Sequence, residues 1–175
     1  TNNIAGQLYN DLVAWGGAGF TFEKKGDLVV IKRADATAYS VRVEDGSGGI
    51  NIDAIQAQVQ RFSDLPKAGV EGFEVEIVGD QSSSFDNYFV RYVTEGAGGV
   101  GVWKEDIKGG ETFKLDATTL PHTLIREADG TFTFKRPSWS NREVGDLAKI
   151  HHPSFATRAI RDVFFFQNRL GFVAD

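Results

Sequence analysis

The sequence predicts an α+β fold, mostly antiparallel β: an N-terminal helix followed by hairpins and a three-stranded meander. Three observations carry this. Ile4, Leu8, Leu12 and Trp15 recur at spacings of four and three, the apolar stripe of an amphipathic helix. Beyond them the apolar period changes to two, with short Gly- and Asp-containing turns between the alternating runs. The chain also holds 14 Phe and 20 Gly among its 175 residues, a strand-prone and turn-rich composition. At 41% hydrophobic and 25% charged it can bury a core, and its length suits one domain or one domain plus a fragment.

Taken in order, Asn2 or Asn3 can cap the first helix and Gly16-Gly17 stops it. Gly19–Lys24 alternates, Lys25-Gly26-Asp27 turns, and Leu28–Lys32 completes a hairpin. Tyr39–Val43 alternates as a strand does, before a turn over Glu44–Gly49. Residues 50–62 fit both periods; the expectation is a short helical turn, then a strand running into Phe62-Ser-Asp-Leu-Pro66. In the meander, Phe73, Val75 and Ile77 share one face while Glu74 and Glu76 take the other. Tyr88–Val93 and Val100–Glu105 supply its second and third strands. Leu65-Pro66 and Leu120-Pro121 are expected at strand boundaries, because Pro removes an amide donor.

His122–Arg126 and Thr131–Lys135 flank Ala128-Asp129-Gly130, a strong hairpin signal. Pro137–Pro153 shows no period and reads as a connector. Arg161–Phe166 and Leu170–Val173 then form a second hairpin with no polar face, so burial on both faces is expected. The expected division is residues 1–140 as one α+β domain, and 141–175 as a connector plus the first hairpin of a following domain. With no Met and an ending just after an apolar stretch, the sequence reads as a piece of a longer protein.

Several chemistries find no support. Without Cys there is no disulfide, thiolate metal site or cysteine nucleophile. No apolar run approaches the roughly 20 residues of a membrane span. The net charge of −5 is uneven: residues 1–134 carry 12 basic and 20 acidic side chains, and residues 135–175 carry 7 and 4. No Lys/Arg stripe marks a nucleic-acid site. Gly96-Ala-Gly-Gly-Val-Gly101 has the spacing of a dinucleotide fingerprint, but strand residues follow where a helix must, so it reads as a hairpin loop. His122, His151 and His152 lack metal-ligand spacing, and Asp45-Gly-Ser-Gly-Gly49 is neither a calcium loop nor a nucleophile elbow. Glu44-Asp45 and Glu105-Asp106 are adjacent acids whose side chains point apart on a strand. No catalytic, cofactor-binding or metal residue emerges. A carbohydrate-binding or envelope-degrading module would need an aromatic platform, for which Trp15, Trp103 and Trp139 are the candidates. Trp15 and Trp103 are expected in the core and Trp139 in the open.

Seven motifs then occur in a familiar order. They are Phe62-Ser-Asp-Leu-Pro66, Gly72-Phe-Glu-Val-Glu-Ile-Val-Gly-Asp80, Tyr88-Phe-Val-Arg-Tyr92, Val102-Trp-Lys-Glu105, Leu120–Phe134, Pro153-Ser-Phe155 and Ile160–Phe172. From about Val59 to Asp175 the chain resembles the tail tubular protein B, or tail nozzle, family of short-tailed bacteriophages; residues 1–58 correspond only in layout. Leu147–His152 departs from the acidic, Asn-Pro-rich loop that the family often has there. The resemblance implies an internal segment of a longer phage or prophage protein, structural and not an enzyme, with no cofactor. It implies copies assembled in a ring, expected to be a hexamer at full length, below the portal and its tail adaptor protein. DNA would pass through without sequence-specific binding. The location implied is the virion tail, with the host cytoplasm during assembly.

Overall fold

A computed structural model describes residues 2–80, 82–95, 100–111 and 114–175. Their contacts form two compact units, Thr1–Asp106 and Ile107–Asp175.

The first unit opens with α1, Asn2–Trp15. Gly16 ends it in the left-handed region (φ 61°), its N–H bonded to the Leu12 carbonyl at 3.1 Å, a conformation a side chain would oppose. The buried side of α1 is Ala5, with Leu8 and Leu12 half-buried beside it. The apolar stripe is therefore rotated from the expected one: Ile4 is 44% and Trp15 65% exposed. The turn at Gly16 folds the Trp15 indole back onto Gly17, where even a Cβ would come within 2.0 Å of the ring. Strands β1 (Phe20–Lys25) and β2 (Leu28–Arg33) pair antiparallel around a two-residue Gly26-Asp27 turn with Gly26 at φ 60°.

Residues 39–43 form no strand, contrary to their alternation. Alternation supplies a face and no partner, and side chains hold this segment instead: the Tyr39 hydroxyl donates to the Ile31 carbonyl at 2.6 Å, and the Gln56 amide donates to the Tyr39 carbonyl. Asp45 then gathers the following loop, its carboxylate accepting the N–H groups of Ser47, Gly49 and Asn51. Those bonds hold the Asp45 carboxyl below its ordinary pKa, Gly49 contributing most.

In residues 50–66 the expected order is reversed. The two-residue strand β3, Gln58–Val59, comes first and a single 3₁₀ turn, Phe62–Asp64, follows. The Asp64 carboxylate accepts the Arg61 N–H at 3.1 Å and closes that turn. β3 runs parallel to β4 (Glu74–Ile77), which pairs antiparallel with β5 (Tyr88–Thr94), and β5 with β6 (Gly101–Asp106). The sheet order is β3-β4-β5-β6, the predicted meander with one short strand added.

The meander's alternation sorts its two faces. Val75, Ile77 and Val90 are buried, with Ile55, Val59, Leu65, Phe73, Tyr88 and Trp103 packed round them. Each full burial contributes about 1.5–3 kcal/mol. Tyr92 is fully buried, its ring 5.2 Å from Trp103, whose indole N–H donates to the Pro66 carbonyl at 2.8 Å. On the opposite face Arg91 bridges Glu74 and Asp106, each at 2.6 Å, while Glu76 accepts from Gln58 and Asn87 at 2.8 and 2.9 Å. These half-exposed pairs each contribute about 0–1 kcal/mol, so the apolar face dominates stability.

The second unit has two hairpins. β7 (Thr123–Arg126) pairs with β8 (Phe132–Lys135), and Asp129 accepts the N–H and hydroxyl of Thr131 across the turn at 2.9 and 2.6 Å. β9 (Ile160–Phe166) pairs with β10 (Arg169–Ala174) around Gln167-Asn168, whose φ values of 46° and 60° suit a type I′ turn. Neither Pro lies inside a strand: Pro66 follows the 3₁₀ turn, and Pro121 stands two residues before β7. The small core here is Ile107 and Leu120, with a Trp139–Phe155–Phe172 chain of rings 5.7 and 4.9 Å apart. The expected burial of the last hairpin on both faces is not met within its own unit: Phe164, Phe165 and Phe166 are 50%, 81% and 65% exposed, and among the described residues β9 and β10 pair only with each other.

The aperiodic 137–153 segment is fixed by Asp146. This residue is 5% exposed, accepts the Lys149 N–H at 2.8 Å and pairs with the Lys149 ammonium at 3.6 Å. Burial alone would raise its carboxyl pKa; the Lys149 amide and charge outweigh it, and the net direction is down. A depressed acid stabilises the fold above its unfolded pKa, ordinarily about 3.9, and loses that stabilisation as pH falls through its folded value. The Lys149 amide resonance should therefore titrate with a midpoint below the ordinary carboxylate value. A midpoint at or above 3.9 would contradict the assignment.

Candidate assembly surface

The histidines and acid pairs of the sequence do not converge. His122 stacks on Phe134 at 5.1 Å and accepts from Arg136 at 3.2 Å, while the His151 main-chain carbonyl accepts from Arg142 at 3.0 Å. Among the described residues no three His, Asp or Glu side chains are grouped to hold a metal ion. Asp106 faces Arg91, and its neighbour Glu105 points to the other side of β6. Glu44 pairs with Arg42, and Asp45 is engaged with its own loop. Residues 96–99 of the glycine-rich stretch lie outside the described residues; Gly101 opens strand β6, not a helix. Among the described residues no helix is long and apolar enough to cross a membrane.

What the structure presents instead is uncovered apolar surface, prominent in two regions. In the second unit, strand register puts Leu124, Phe132 and Phe134 on one face of β7–β8, and these are 65%, 63% and 69% exposed. Both faces of β9–β10 carry apolar side chains: Val163, Phe165, Leu170 and Phe172 on one, and Phe164, Phe166 and Val173 beside Asp162 and Arg169 on the other. The Phe164 ring covers Gly171 across the strand pair. Two-stranded hairpins are marginal alone, so aromatics exposed in this number need cover from outside their own hairpin.

In the first unit, Trp15, Phe20, Phe22, Ile31, Tyr39 and Val41 line a groove of about 230 Å³. The Trp15 ring lies 6.0 Å from Phe20 and 6.3 Å from Phe22, Tyr39 meets Phe20 edge-on at 5.3 Å, and the Arg33 guanidinium stands 5.2 Å over Phe20. Sequence reasoning placed Trp15 in the core and Trp139 in the open; the structure reverses both. Trp139 is half-buried against Phe155 with its indole nitrogen fully covered. Trp103 is packed, as its position in a strand implied. The Gly16-Gly17 pair after Trp15 is the signal that could have shown the reversal. A wider hollow of about 590 Å³ lies between the Gly26-Asp27 turn and Pro66–Ala68, with no buried polar group directed into it.

Exposed apolar side chains are thus a prominent surface feature of both units. A family model described as "Bacteriophage nozzle protein" matches residues 1–175. The chain is also 41% identical over 135 residues to tail tubular protein gp12 of Escherichia phage T7, an alignment covering 77% of this chain and 16% of that protein. The chain belongs to the bacteriophage nozzle protein family. It spans about one sixth of the length of that relative.

Proposed function

We propose that this chain forms part of the wall of a tail tube: a ring of copies, six at full length, attached below a tail adaptor protein and conducting DNA during ejection. It works by packing and carries out no catalysis. Assembly takes place in the host cytoplasm, and residues 141–175 lead into a following domain while 1–140 form the tail module. The observation that carries the reading is a nozzle-family match over the whole chain, in a fold whose exposed features are apolar hairpins. Charge supports it. Residues 1–106 hold 16 acidic and 9 basic side chains, and a wall of like sign keeps a moving polyanion from adhering. Electron cryomicroscopy of virions, with the polypeptide located by a bound antibody fragment, tests the reading. Annular density at the tail is expected; a virion without this polypeptide in its tail would end it. One observation favours a second reading, carbohydrate binding, namely the open indole of Trp15. Binding on a glycan array that Trp15→Ala abolishes would support it.

A further inference from the structure

The outer edge of β2 and the segment that follows it match in ways the fold leaves unused. The Ala34 N–H bonds the Gly19 carbonyl, which continues the β1–β2 ladder and fixes its phase. In that phase the N–H and C=O groups of Val29, Ile31 and Arg33 point away from β1, and among the described residues no strand takes them up. Residues 34–38 already bend the chain: Ala36 is left-handed at φ 54°, and the Asp35 carboxylate accepts the Thr37 N–H at 3.1 Å. A five-residue loop is an ordinary hairpin length, and it would make Arg33–Tyr39, Ile31–Val41 and Val29–Val43 the rungs. In that register Tyr39, Val41 and Val43 join the face that holds Phe20, Phe22 and Ile31. The Tyr39 ring is on that face already, edge-on to Phe20 at 5.3 Å.

Two side-chain bonds stand in the way, one on each side of the gap. The Tyr39 hydroxyl donates to the Ile31 carbonyl at 2.6 Å, the acceptor that the Val41 N–H would use. The Gln56 amide donates to the Tyr39 carbonyl, the acceptor that the Arg33 N–H would use. We infer that residues 39–43 are a strap poised to close onto β2 as a third strand, and that Tyr39 and Gln56 are the latches that hold it open. With the strap open, Val41 and Val43 are 37% and 36% exposed. Closed, they lie beside Ile31 and Val29 and widen a hairpin that is marginal with two strands. The strap and its latches all belong to the first unit, and they stand whether or not copies form a ring.

Amide hydrogen exchange of the 175-residue chain, read residue by residue by NMR, tests it. In the wild type the Ile31, Arg33 and Val41 amides should exchange freely, because the open strap leaves them without ladder partners. Tyr39→Phe keeps the ring against Phe20 and removes only the latch hydroxyl. It should slow exchange at these three amides by about tenfold, and adding Gln56→Ala should slow it further. A short Hα–Hα distance between Val30 and Arg42, which would face each other without ladder bonds, should appear in the same variants. If the double variant gains no protection at Ile31 and Arg33, the closed strap does not exist and the inference falls. Protection already present in the wild type would mean that nothing is latched. Loss of protection within β1–β2 would mean that the two bonds only brace the hairpin; either result overturns the inference as well.

Discussion

Tyr92→Ala is expected to destabilise the first unit by about 3–5 kcal/mol, as removal of a large buried aromatic side chain does. Tyr92 has no exposed surface, and its ring is held by Trp103 on one side and by Gly69 on another, where a Cβ would come within 2.5 Å. That close approach leaves no slack for neighbours to collapse into the space. Tyr92→Phe separates the ring from the hydroxyl. The hydroxyl is buried without a hydrogen-bond partner among the described residues, so its removal should be neutral or stabilising by up to about 1 kcal/mol. Denaturant unfolding followed by Trp103 fluorescence measures both. If Tyr92→Phe loses as much as Tyr92→Ala, the hydroxyl has a partner and the core is organised differently.

Local chemistry made much of this fold legible. The turns at Gly26-Asp27 and Asp129-Gly130 are set by backbone preferences of the residues themselves, and those two hairpins were readable from them; the third was readable from its two apolar runs. The meander was readable because Val75 and Ile77 alternate with acids, and burial of one face fixes register. What failed depended on partners distant in sequence. Residues 39–43 have a strand's pattern and pair with no strand. β3 exists only because β4 offers an edge from residues 76–78. The family was legible through motifs in order, but the Trp15 groove was not. Its lining comes from α1, β1, β2 and the 39–42 segment, and no spacing along the chain brings those together. The exposure of Phe164–Phe166 was missed for the converse reason: an apolar run signals a need for cover, and its cover need not lie in the same chain.

Gly101→Ala is expected to cost about 2–3 kcal/mol, the upper part of the range for overpacking a well-filled site. Here the obstruction is backbone. A Cβ on Gly101 would stand 2.2 Å from the Val93 carbonyl oxygen, 2.8 Å from the Thr94 Cα and 2.9 Å from the Tyr92 ring. None of these is the end of a flexible side chain, so β5 and β6 must part at the Thr94–Gly101 pair. Thr94 cannot yield easily, because the Glu71 carboxylate accepts both its N–H and its hydroxyl at 2.6 Å. The next rung, Glu95 N–H to the Val100 carbonyl at 2.8 Å, should open as well. The expected result is a lowered unfolding midpoint together with faster amide exchange at Glu95. Gly79→Ala is the control, since its nearest neighbour would lie 3.7 Å away and its φ is unexceptional, and it should be nearly neutral. An unchanged midpoint for Gly101→Ala would mean that β6 approaches β5 less closely than this. The outcome also bears on the glycine-rich stretch that mimics a dinucleotide fingerprint: its last glycine is required by the Val93 carbonyl and the Tyr92 ring, a reason internal to the sheet that calls for no phosphate.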